Sequence, residues 1–330
     1  MYTDFLSDEI KKLRGNRVLV APLDWGLGHA TRCVPIIKCL LENHKTVLIA
    51  GSGASFVFLK KEFPRLEAIC FPSLFVRYSS SDSQTAAMLR QLPSILYRIV
   101  KEHVLLKRFV KKYRIQTVIS DNRFGLWHKR VECVYITHQI MVKMPPRFRF
   151  AERFVCSLHK FIISRYDVCW VPDVVGENNL SGDLSHKYPL PKNAVFVGWL
   201  SRFEFHELAD ESPYKNLILV SGPEPQRTIF EQQMLNKFQH LEEPSLLVRG
   251  IPFASESFDC GYVRIVSHLD TKTLQFLLQK TPFVYCRSGY STLMDLAALH
   301  RRAMLFPTPG QTEQEYLAEY VGSKKDSFRR

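Results

Sequence analysis

The stretch PFVYCRSGYSTLMDLAALHRRAMLFPTPGQTEQEYLA, residues 282–318, decides the fold class. It contains an apolar run, a Ser-Gly turn, a helical segment, a second apolar run, and a Pro/Gly turn that opens another helical segment. Apolar strands that alternate with helices form a parallel sheet covered on both faces. The stretch therefore predicts the end of a doubly wound α/β domain.

The same alternation runs through the rest of the chain. In the C-terminal part, an apolar run at 217–222 is followed by a helical segment near 226–239, and runs at 245–250 and 262–269 are followed by a helical segment near 271–279. The N-terminal part has further runs rich in β-branched residues, at 17–23, 45–51, 66–73, 116–121, 132–138 and 167–172. This pattern predicts two Rossmann-like, doubly wound domains in tandem.

Chain length also favours two domains. At 330 residues the chain is longer than the roughly 250–300 residues at which a single core stops growing. A polar stretch at 203–215 separates the two alternating patterns. We therefore expect one domain at 1–200 and a second at 201–330.

Composition and charge indicate a globular protein and limit the kinds of partner that it is expected to bind. Hydrophobic residues make up 46% of the chain and charged residues 23%, which is typical of a folded globular protein. The net charge of +13 favours polyanionic partners, namely nucleic acid, an anionic membrane surface or phosphorylated substrates. No basic segment interleaved with aromatic residues matches an RNA-binding motif, so we expect no nucleic acid partner.

The eight cysteines are scattered, without a CxxC pair or a His/Cys cluster at zinc-ligand spacing. We therefore expect no disulfide framework and no metal site, as in proteins of a reducing compartment. The N-terminus, MYTDFLSDEIKKLRGNR, lacks the apolar core of a signal peptide, and no apolar stretch is long enough to cross a membrane. These features predict a cytoplasmic protein.

One segment, at 83–114, is long, apolar on one side and rich in lysine and arginine, and Pro93 is expected to kink it. It is either a core-packing helix with a solvated basic face or a surface that docks on anionic lipid headgroups. RFRFAERF (147–154) would extend such a surface. On the second interpretation, the protein contacts the inner face of the cytoplasmic membrane.

The loop LDWGLGHATR follows the first apolar run and opens a helix. Gly26 and Gly28 let backbone N–H groups approach a ligand, and a helix N-terminus carries about half a positive charge, so an anion is the expected ligand. The loop is not GxGxxG and lacks the later acidic residue of a dinucleotide site, which disfavours a nicotinamide dehydrogenase. His29 is placed either to take a proton from a hydroxyl or to cap the loop.

Further polar side chains end strands at the same sheet edge. Asp121 ends the fourth run, and His138 with Gln139 ends the fifth. Because the carboxyl ends of parallel strands meet at one edge, we expect these side chains to line one cleft with His29. Asp121 is either a second candidate base or a cap of the turn that follows it.

The turn in CRSGYSTLMD predicts a nucleotide site. Ser288 and Gly289 begin a helix whose free N–H groups can hold a diphosphate. The hydroxyls of Ser291 and Thr292 are further donors. Asp295 is either a solvated helix residue or a carboxylate that accepts both hydroxyls of a ribose.

A cluster of amide and acid side chains follows the second Pro/Gly turn. Gln311, Glu313 and Gln314 lie at the start of the last helical segment. They can cap that helix, and they also offer the fixed donors and acceptors that sugar hydroxyls require.

The stretch at 286–318 resembles the donor-site signature of GT-B glycosyltransferases, and among them of family 28, which includes the UDP-GlcNAc transferase of lipid-linked peptidoglycan precursor synthesis. The family pattern is SRxGxxTxxE, a strand, and PxPxxxxxxQxxNA, which binds UDP and the donor sugar. CRSGYSTLMD matches the first part with Asp295 in place of Glu, and PTPGQTEQEYLA follows at the expected distance. Leu317 stands where the family has Asn.

Other segments extend the resemblance along the chain. LDWGLGHATR resembles the family's N-terminal glycine loop, and VGWLSR resembles the entry to its second domain, which implies that Arg202 lies near the donor phosphates. SGPEPQR stands where the family has GGSQGAR, which implies a nucleotide contact for Ser221, Gly222 and Gln226. Pro223 replaces the second glycine of that loop, and THQ matches the family's HEQN only loosely.

The resemblance implies transfer of a hexosyl or N-acetylhexosaminyl group from a UDP-sugar to an acceptor hydroxyl, with inversion and without a cofactor. It makes the first domain the acceptor side and the second the nucleotide-sugar side, with His29 or Asp121 as the base. No DxD triplet occurs in the chain, so we expect a metal-independent donor site. The basic first domain favours a lipid-linked or cell-envelope glycan as the acceptor.

Two alternatives stay open at this point. A nucleotide-sugar epimerase of the same fold would need additional acidic residues around the sugar, which Glu224, Glu313 and Glu315 could supply. A non-catalytic sugar-nucleotide-binding protein would keep the segment from Ser288 to Asp295 and would not need His29.

Overall fold

The first sheet forms the N-terminal half of the protein in a computed structural model that describes residues 3–72 and 84–324. Within these residues its strands are β1 Arg17–Pro22, β2 Thr46–Gly51, β3 Glu67–Cys70, β4 Thr117–Asp121, β5 Glu132–Ile136, β6 Val168–Val171 and β7 Ala194–Phe196. All of them are parallel, in the order β3-β2-β1-β4-β5-β6-β7. The apolar runs of the sequence predict β1 to β6, whereas β7 is too short and too little buried to give such a run.

The second sheet forms the C-terminal half. Its described strands are β8 Asn216–Leu219, β9 Ser245–Val248, β10 Ser257–Cys260, β11 Val263–Val266, β12 Phe283–Cys286 and β13 Met304–Leu305. Their order is β10-β11-β9-β8-β12-β13, and β10 is an antiparallel edge strand. The sequence does not predict β10, because most of its residues are exposed and leave no apolar pattern.

Helices cover both sheets. Their bounds are α1 Thr3–Lys11, α2 Gly28–Glu42, α3 Gly53–Glu62, α4 Gln84–Lys112, α5 Glu152–Ile163, α6 Asp183–His186, α7 Gln226–Phe238, α8 Thr271–Lys280, α9 Tyr290–Ala298 and α10 Thr312–Ser323. A 3-10 turn, Pro146–Ala151, leads into α5. Across the described ranges, no helix combines the length and the apolar character needed to cross a membrane.

Both sheets reverse their strand order beside their first strand. Strand β1 lies between β2 and β4, and β8 lies between β9 and β12. In open α/β sheets, ligands bind in the crevice at this switch point, outside the carboxyl ends of the strands. The prediction of two doubly wound, Rossmann-like domains is therefore confirmed, and each domain presents one such crevice.

One hydrophobic core joins the two domains. Leu293 and Met294 of α9 and Leu317 of α10 belong to the same buried cluster as Val34 and Ile37 of α2. Leu317 is fully buried, so its side chain contributes to the packing of this core. The second domain therefore closes directly on the helix that follows β1.

Candidate functional site

The loop between β1 and α2 lies at the switch point of the first sheet. Its Gly26 has a φ of 78°, in the left-handed region that favours glycine. His29 follows in the first turn of α2, and Asp121 is the last residue of the neighbouring β4. His29 Nδ1 lies 3.2 Å from Asp121 Oδ2, so the structure brings the two predicted catalytic residues together.

Arg32 completes this cluster from the next turn of α2. Its Nε donates to Asp121 Oδ2 at 2.7 Å, and an Nη2–H donates to Asp121 Oδ1. The same Nη2 lies 2.8 Å from His29 Nδ1. His29 Nδ1 therefore faces both a donor and an acceptor, and the tautomer of the ring depends on which of them it pairs with.

The charges and the burial of this cluster set different protonation states for His29 and Asp121. Burial and the charge of Arg32 lower the pKa of His29, against the opposing effect of Asp121. Burial alone would raise the pKa of Asp121, but the nearby Arg32 and His29 outweigh it and lower that pKa. At neutral pH the cluster therefore holds a neutral imidazole beside an ionised carboxylate, and only the imidazole is basic enough to accept a proton near pH 7.

A second histidine links this cluster to the other domain. Arg32 Nη1 lies 3.2 Å from His138 Nδ1, and His138 Nε2 lies 2.7 Å from Glu313 Oε1. Because arginine can only donate, His138 accepts at Nδ1 and carries its proton at Nε2, facing Glu313. The His138 ring also stacks on Tyr290, with centroids 4.0 Å apart. Glu313 and Tyr290 belong to α10 and α9, so this contact spans the cleft.

The predicted donor residues lie around a narrow crevice at the switch point of the second sheet. The crevice encloses about 100 Å³ and also contacts the start of α2. Predicted residues that line it are Gly28, Arg202, Ser221, Ser291, Thr292 and Asp295. Gly28 is in direct contact with α9, because its carbonyl accepts a hydrogen bond from Ser291 Oγ at 2.8 Å.

Two predicted glycines lie close in the chain to residues that line this crevice and have open space beside their Cα atoms. Gly222 has a φ of 106°, and a Cβ built there would have nothing within 4 Å. Gly289, the N-cap of α9, is equally open. Gly289 lies at a helix N-terminus, where an anion would be favoured, whereas Gly222 lies in the loop that leads to α7.

Asp295 and Arg202 form the charged wall of the crevice. Ser201 Oγ donates to Asp295 Oδ1 at 2.6 Å. Burial raises the pKa of Asp295 to about 6, against the opposing effects of Arg202 and Ser201. Arg202 donates to Thr271 Oγ1 at 3.3 Å, while its buried Nε has no partner among the described residues. An anionic ligand would satisfy such a buried donor.

Some of the other predicted ligand residues form hydrogen bonds to groups of the protein itself. Ser288 Oγ donates to the Gln314 carbonyl at 2.8 Å, and Gln314 Oε1 accepts from the Thr308 N–H at 2.9 Å. Gln314 therefore stabilises the Pro/Gly turn before α10. Gln311 occupies the N-cap of α10 but its side chain makes no capping hydrogen bond.

Two further positions complete the set of predicted residues. Gln226 is buried at the start of α7, and its carbonyl accepts from Arg287 Nη2 at 3.3 Å. Gln139 is half-buried after β5, where its N–H donates to Thr137 Oγ1 at 3.1 Å.

Three residues of the site were not predicted from the sequence. Arg32 lies three residues after His29, and this spacing on a helix places both side chains on one face. Tyr290 and Arg287 flank the Ser288-Gly289 turn, and no sequence pattern marks them as residues of the site. Arg287 donates to the carbonyls of Phe306 and Pro307 at 3.2 and 3.0 Å, so it holds together the loops behind the crevice.

Comparison with known proteins identifies the architecture. No model of a protein family matches the chain, and no curated protein matches its sequence. Among solved structures, the glycotransferase of kitacinnamycin is 15% identical with a TM-score of 0.59, covering 94% of this chain and 85% of that one. The spinosyn rhamnosyltransferase SpnG is 15% identical with a TM-score of 0.58, covering 93% and 85%.

A third similar structure is UGT2 of Phytolacca americana, solved with UDP-2fluoro-glucose and pterostilbene. It is 13% identical with a TM-score of 0.54 and covers 94% of this chain and 84% of that one. These proteins share the two-domain GT-B fold, and the resemblance in fold expected from the sequence is confirmed. Identity at this level defines the fold, whereas the chemistry depends on the site itself.

Proposed function

We propose that the protein is a glycosyltransferase that moves a hexosyl or N-acetylhexosaminyl group from a UDP-sugar to an acceptor hydroxyl, with inversion. One contact carries the proposal: the carbonyl of Gly28, the neighbour of His29, accepts from Ser291 in the first turn of α9 at 2.8 Å. This contact supports the proposal because it joins the residue before His29 to the helix that we propose holds the diphosphate. This is the arrangement that direct transfer between two bound substrates requires.

In this proposal His29 is the base. With its Nδ1–H held by Asp121, the neutral ring has a lone pair on Nε2 that can take the proton of an acceptor hydroxyl. The acceptor oxygen then forms its bond to the anomeric carbon as the bond to the diphosphate breaks on the opposite face, which inverts that centre. Asp121 orients the ring and stabilises the imidazolium that forms.

The leaving diphosphate is stabilised by fixed groups of the second domain. The N-terminus of α9 offers first-turn N–H groups that no side chain of its N-cap, Gly289, satisfies, and Arg202 offers a buried guanidinium. Such preorganised donors stabilise charge that develops in a transition state. We propose that these groups act without a metal ion.

Two solved neighbours support a pyrimidine nucleoside diphosphate as the ligand. SpnG has been solved with thymidine diphosphate, and the Phytolacca americana enzyme with UDP-2fluoro-glucose. Both ligands carry a diphosphate on a pyrimidine nucleoside. UDP and thymidine diphosphate are therefore the first two ligands to test.

The epimerase alternative is less well supported by the acidic residues that motivated it. Glu224 accepts from Arg227 Nε at 2.6 Å, and Glu315 accepts from the Gly310 N–H at 2.8 Å. Glu313 faces His138. All three carboxylates are engaged with protein groups, whereas sugar epimerisation would need them free to exchange protons with the substrate.

Titration with UDP in the presence of EDTA tests the donor site. We expect UDP to bind, and Asp295→Ala to weaken binding by about 10-fold to 100-fold, because hydrogen bonds to a charged group contribute about 1.5–3 kcal/mol each. The affinity of the unmodified protein should also fall as pH drops through about 6, where the Asp295 carboxylate becomes protonated. Isothermal titration calorimetry measures both effects.

Two controls sharpen this test. Asp210→Ala removes an exposed carboxylate from the same domain and should leave the affinity unchanged. Asp295→Asn removes the ionisation, so any pH dependence that remains in it belongs to UDP. Absence of UDP binding, or an equal loss in Asp210→Ala, would refute the proposed donor site.

We further propose that the acceptor is a lipid-linked or cell-envelope glycan that the protein meets at an anionic membrane. Large apolar side chains are exposed on α4 and on α5 with the turn before it: Leu96, Tyr97, Val100, Val104, Phe150, Phe154, Leu158 and Phe161. Part of the predicted segment 83–114 lies outside the described residues, since side chains of this segment are described only from residue 93 onward.

The helix α5 carries the clearest argument for this contact. One face is buried through Cys156 and Ile163, while Phe154 and Leu158 are 73% and 52% exposed on the other face. Arg153 lies beside them and is exposed. A helix with a second, solvent-facing apolar face beside basic residues is typical of one that lies in a lipid headgroup region.

Vesicle sedimentation tests the membrane proposal. Phe154→Glu should reduce co-sedimentation with phosphatidylserine-containing vesicles at low salt, because it replaces an inserted aromatic ring with an anion. Phe253→Glu is the matched control, since Phe253 is 70% exposed in the second domain. Equal binding by both variants and the unmodified protein would contradict the proposal.

A further inference from the structure

A large basic cavity lies on the first domain, away from the cleft. It encloses about 880 Å³ and is open to solvent. One wall is the C-terminal half of α4, and the other is the loop that leads into β5. Its lining is His103, Lys107, Val110, Lys111, Trp127, His128, Lys129 and Arg130.

The position of the cavity separates it from the proposed reaction. His29 and Asp121 lie at the carboxyl ends of β1 and β4. Residues 127–130 immediately precede β5, and α4 ends just before β4 begins. The cavity therefore lies toward the amino ends of the strands, at the opposite edge of the sheet, and a molecule held there is remote from His29.

The charges that line the cavity are of one sign. Lys107 and Lys111 lie one turn apart on α4, and Lys129 and Arg130 face them from the loop. No carboxylate is among the lining residues, and none of these four cations forms an ion pair with a described residue. A concave surface with one sign of charge focuses its field and concentrates ligands of the opposite sign.

The aromatic residue of the cavity is already engaged by protein groups. The Trp127 ring packs on His103 with centroids 4.2 Å apart, and the Arg165 guanidinium lies 5.5 Å from its centre. These contacts brace the loop against α4 and compete with stacking of a nucleobase on the ring. The cavity is therefore suited to recognition by charge, and less to the base stacking that single-stranded nucleic acid uses.

We infer that this cavity is a binding site for a ligand with clustered phosphate groups, remote from the proposed transfer site. Two lysines from one wall, with a lysine and an arginine from the other, can surround phosphate oxygens from two sides. The same chemistry is offered by a soluble polyphosphorylated compound and by a lipid with a phosphomonoester headgroup. Binding in this cavity does not depend on UDP binding or on transfer activity.

Inorganic tripolyphosphate is the probe for the first arm of the test, with binding measured by isothermal titration calorimetry on the full chain. We expect Lys107→Ala/Lys129→Ala to weaken binding by about 10-fold, because two of the four cations that would pair with the phosphate groups are lost. Lys38→Ala/Lys60→Ala removes the same charge from exposed helix positions of the same domain and should leave the affinity unchanged. Circular dichroism of each variant checks that the fold is intact without relying on UDP binding.

Vesicles distinguish the source of the phosphates. Phosphatidylcholine vesicles carrying phosphatidic acid are compared with vesicles carrying an equal fraction of phosphatidylserine. Weaker binding of the Lys107/Lys129 variant to the first kind alone identifies a lipid headgroup, whereas an effect confined to tripolyphosphate identifies a soluble ligand. No tripolyphosphate binding together with no effect on either vesicle, or equal effects of both double variants, would overturn the inference.

Discussion

Replacing His29 by alanine should lower the rate of sugar transfer by about 10²-fold to 10⁴-fold, the range supplied by general acid–base catalysis, and should leave UDP affinity unchanged. His29 faces Asp121 and Arg32, and it lies outside the lining of the donor crevice. Its loss therefore removes the base without removing a diphosphate contact. Initial rates of UDP release with a competent acceptor measure the first effect, and calorimetry measures the second.

The same variant separates an enzyme from a non-catalytic binding protein. If UDP release by the unmodified protein is acceptor-dependent and His29→Ala retains its rate, the assignment of His29 as the base is wrong. His44→Ala is a suitable control, because His44 is an exposed histidine in the turn between α2 and β2. That variant should transfer sugar at the unmodified rate.

The pH profile of transfer should carry the signature of His29. Burial and Arg32 lower its pKa from the ordinary value of 6.5, so the neutral, basic form persists to lower pH than for a free histidine. The rate should therefore rise with pH and then reach a plateau, and the midpoint of this rise should lie below pH 6.5. Asp121→Asn removes the charge that raises the pKa of His29, so the midpoint of the rise should move to still lower pH.

The order of apolar and helical segments was sufficient to predict the fold. Buried parallel strands leave continuous apolar runs, and β1, β4 and β12 each coincide with such a run. Strand β10 was not predictable in this way, because an exposed antiparallel edge strand buries little and leaves no such run. The shared core of α2, α9 and α10 was also not predictable, since a helix pattern shows which face is apolar but not which domain covers it.

The loops that form the candidate site could be predicted from the sequence. The hydrogen bonds and ion pairs between them could be predicted only in part. Sheet topology alone places His29 beside Asp121, because their strands are neighbours. The role of Arg32 depends on the burial of Asp121, and the pairing of His138 with Glu313 depends on how the domains close. Neither property is encoded in local sequence, since both arise from contacts between residues far apart in the chain.

Removing the charge of Arg32 should strongly destabilise the protein. Arg32 and Asp121 are 2% and 0% exposed, and the arginine bonds both carboxylate oxygens. Arg32→Met keeps much of the side-chain volume but leaves a buried carboxylate without its cation. We expect a loss of about 3–5 kcal/mol in the free energy of unfolding, the usual cost of breaking a buried ion pair from one side. Urea-induced unfolding followed by circular dichroism measures it at pH 7.

The pH dependence of that loss tests its cause. In the unmodified protein the lowered pKa of Asp121 makes its contribution to stability complete above the ordinary value of 3.8, and this contribution is lost as pH falls through the folded-state pKa. Without Arg32 the remaining burial raises that pKa, so the variant should lose stability as pH rises and its carboxyl ionises. The difference between the two proteins should therefore be large at pH 7 and smaller in acid.

A second substitution, at Asp121, should restore most of the stability that Arg32→Met removes. In Arg32→Met/Asp121→Asn no buried charge is left unpaired, so most of the lost stability should return even though His29 has lost its carboxylate partner. Arg65→Met, at an exposed position of the same domain, should change stability by no more than about 0.5 kcal/mol. If the double variant stays as unstable as Arg32→Met, the loss arises from packing around the guanidinium. In that case Arg32 does not act by neutralising Asp121, and its effect on the His29 pKa would have to be reassigned as well.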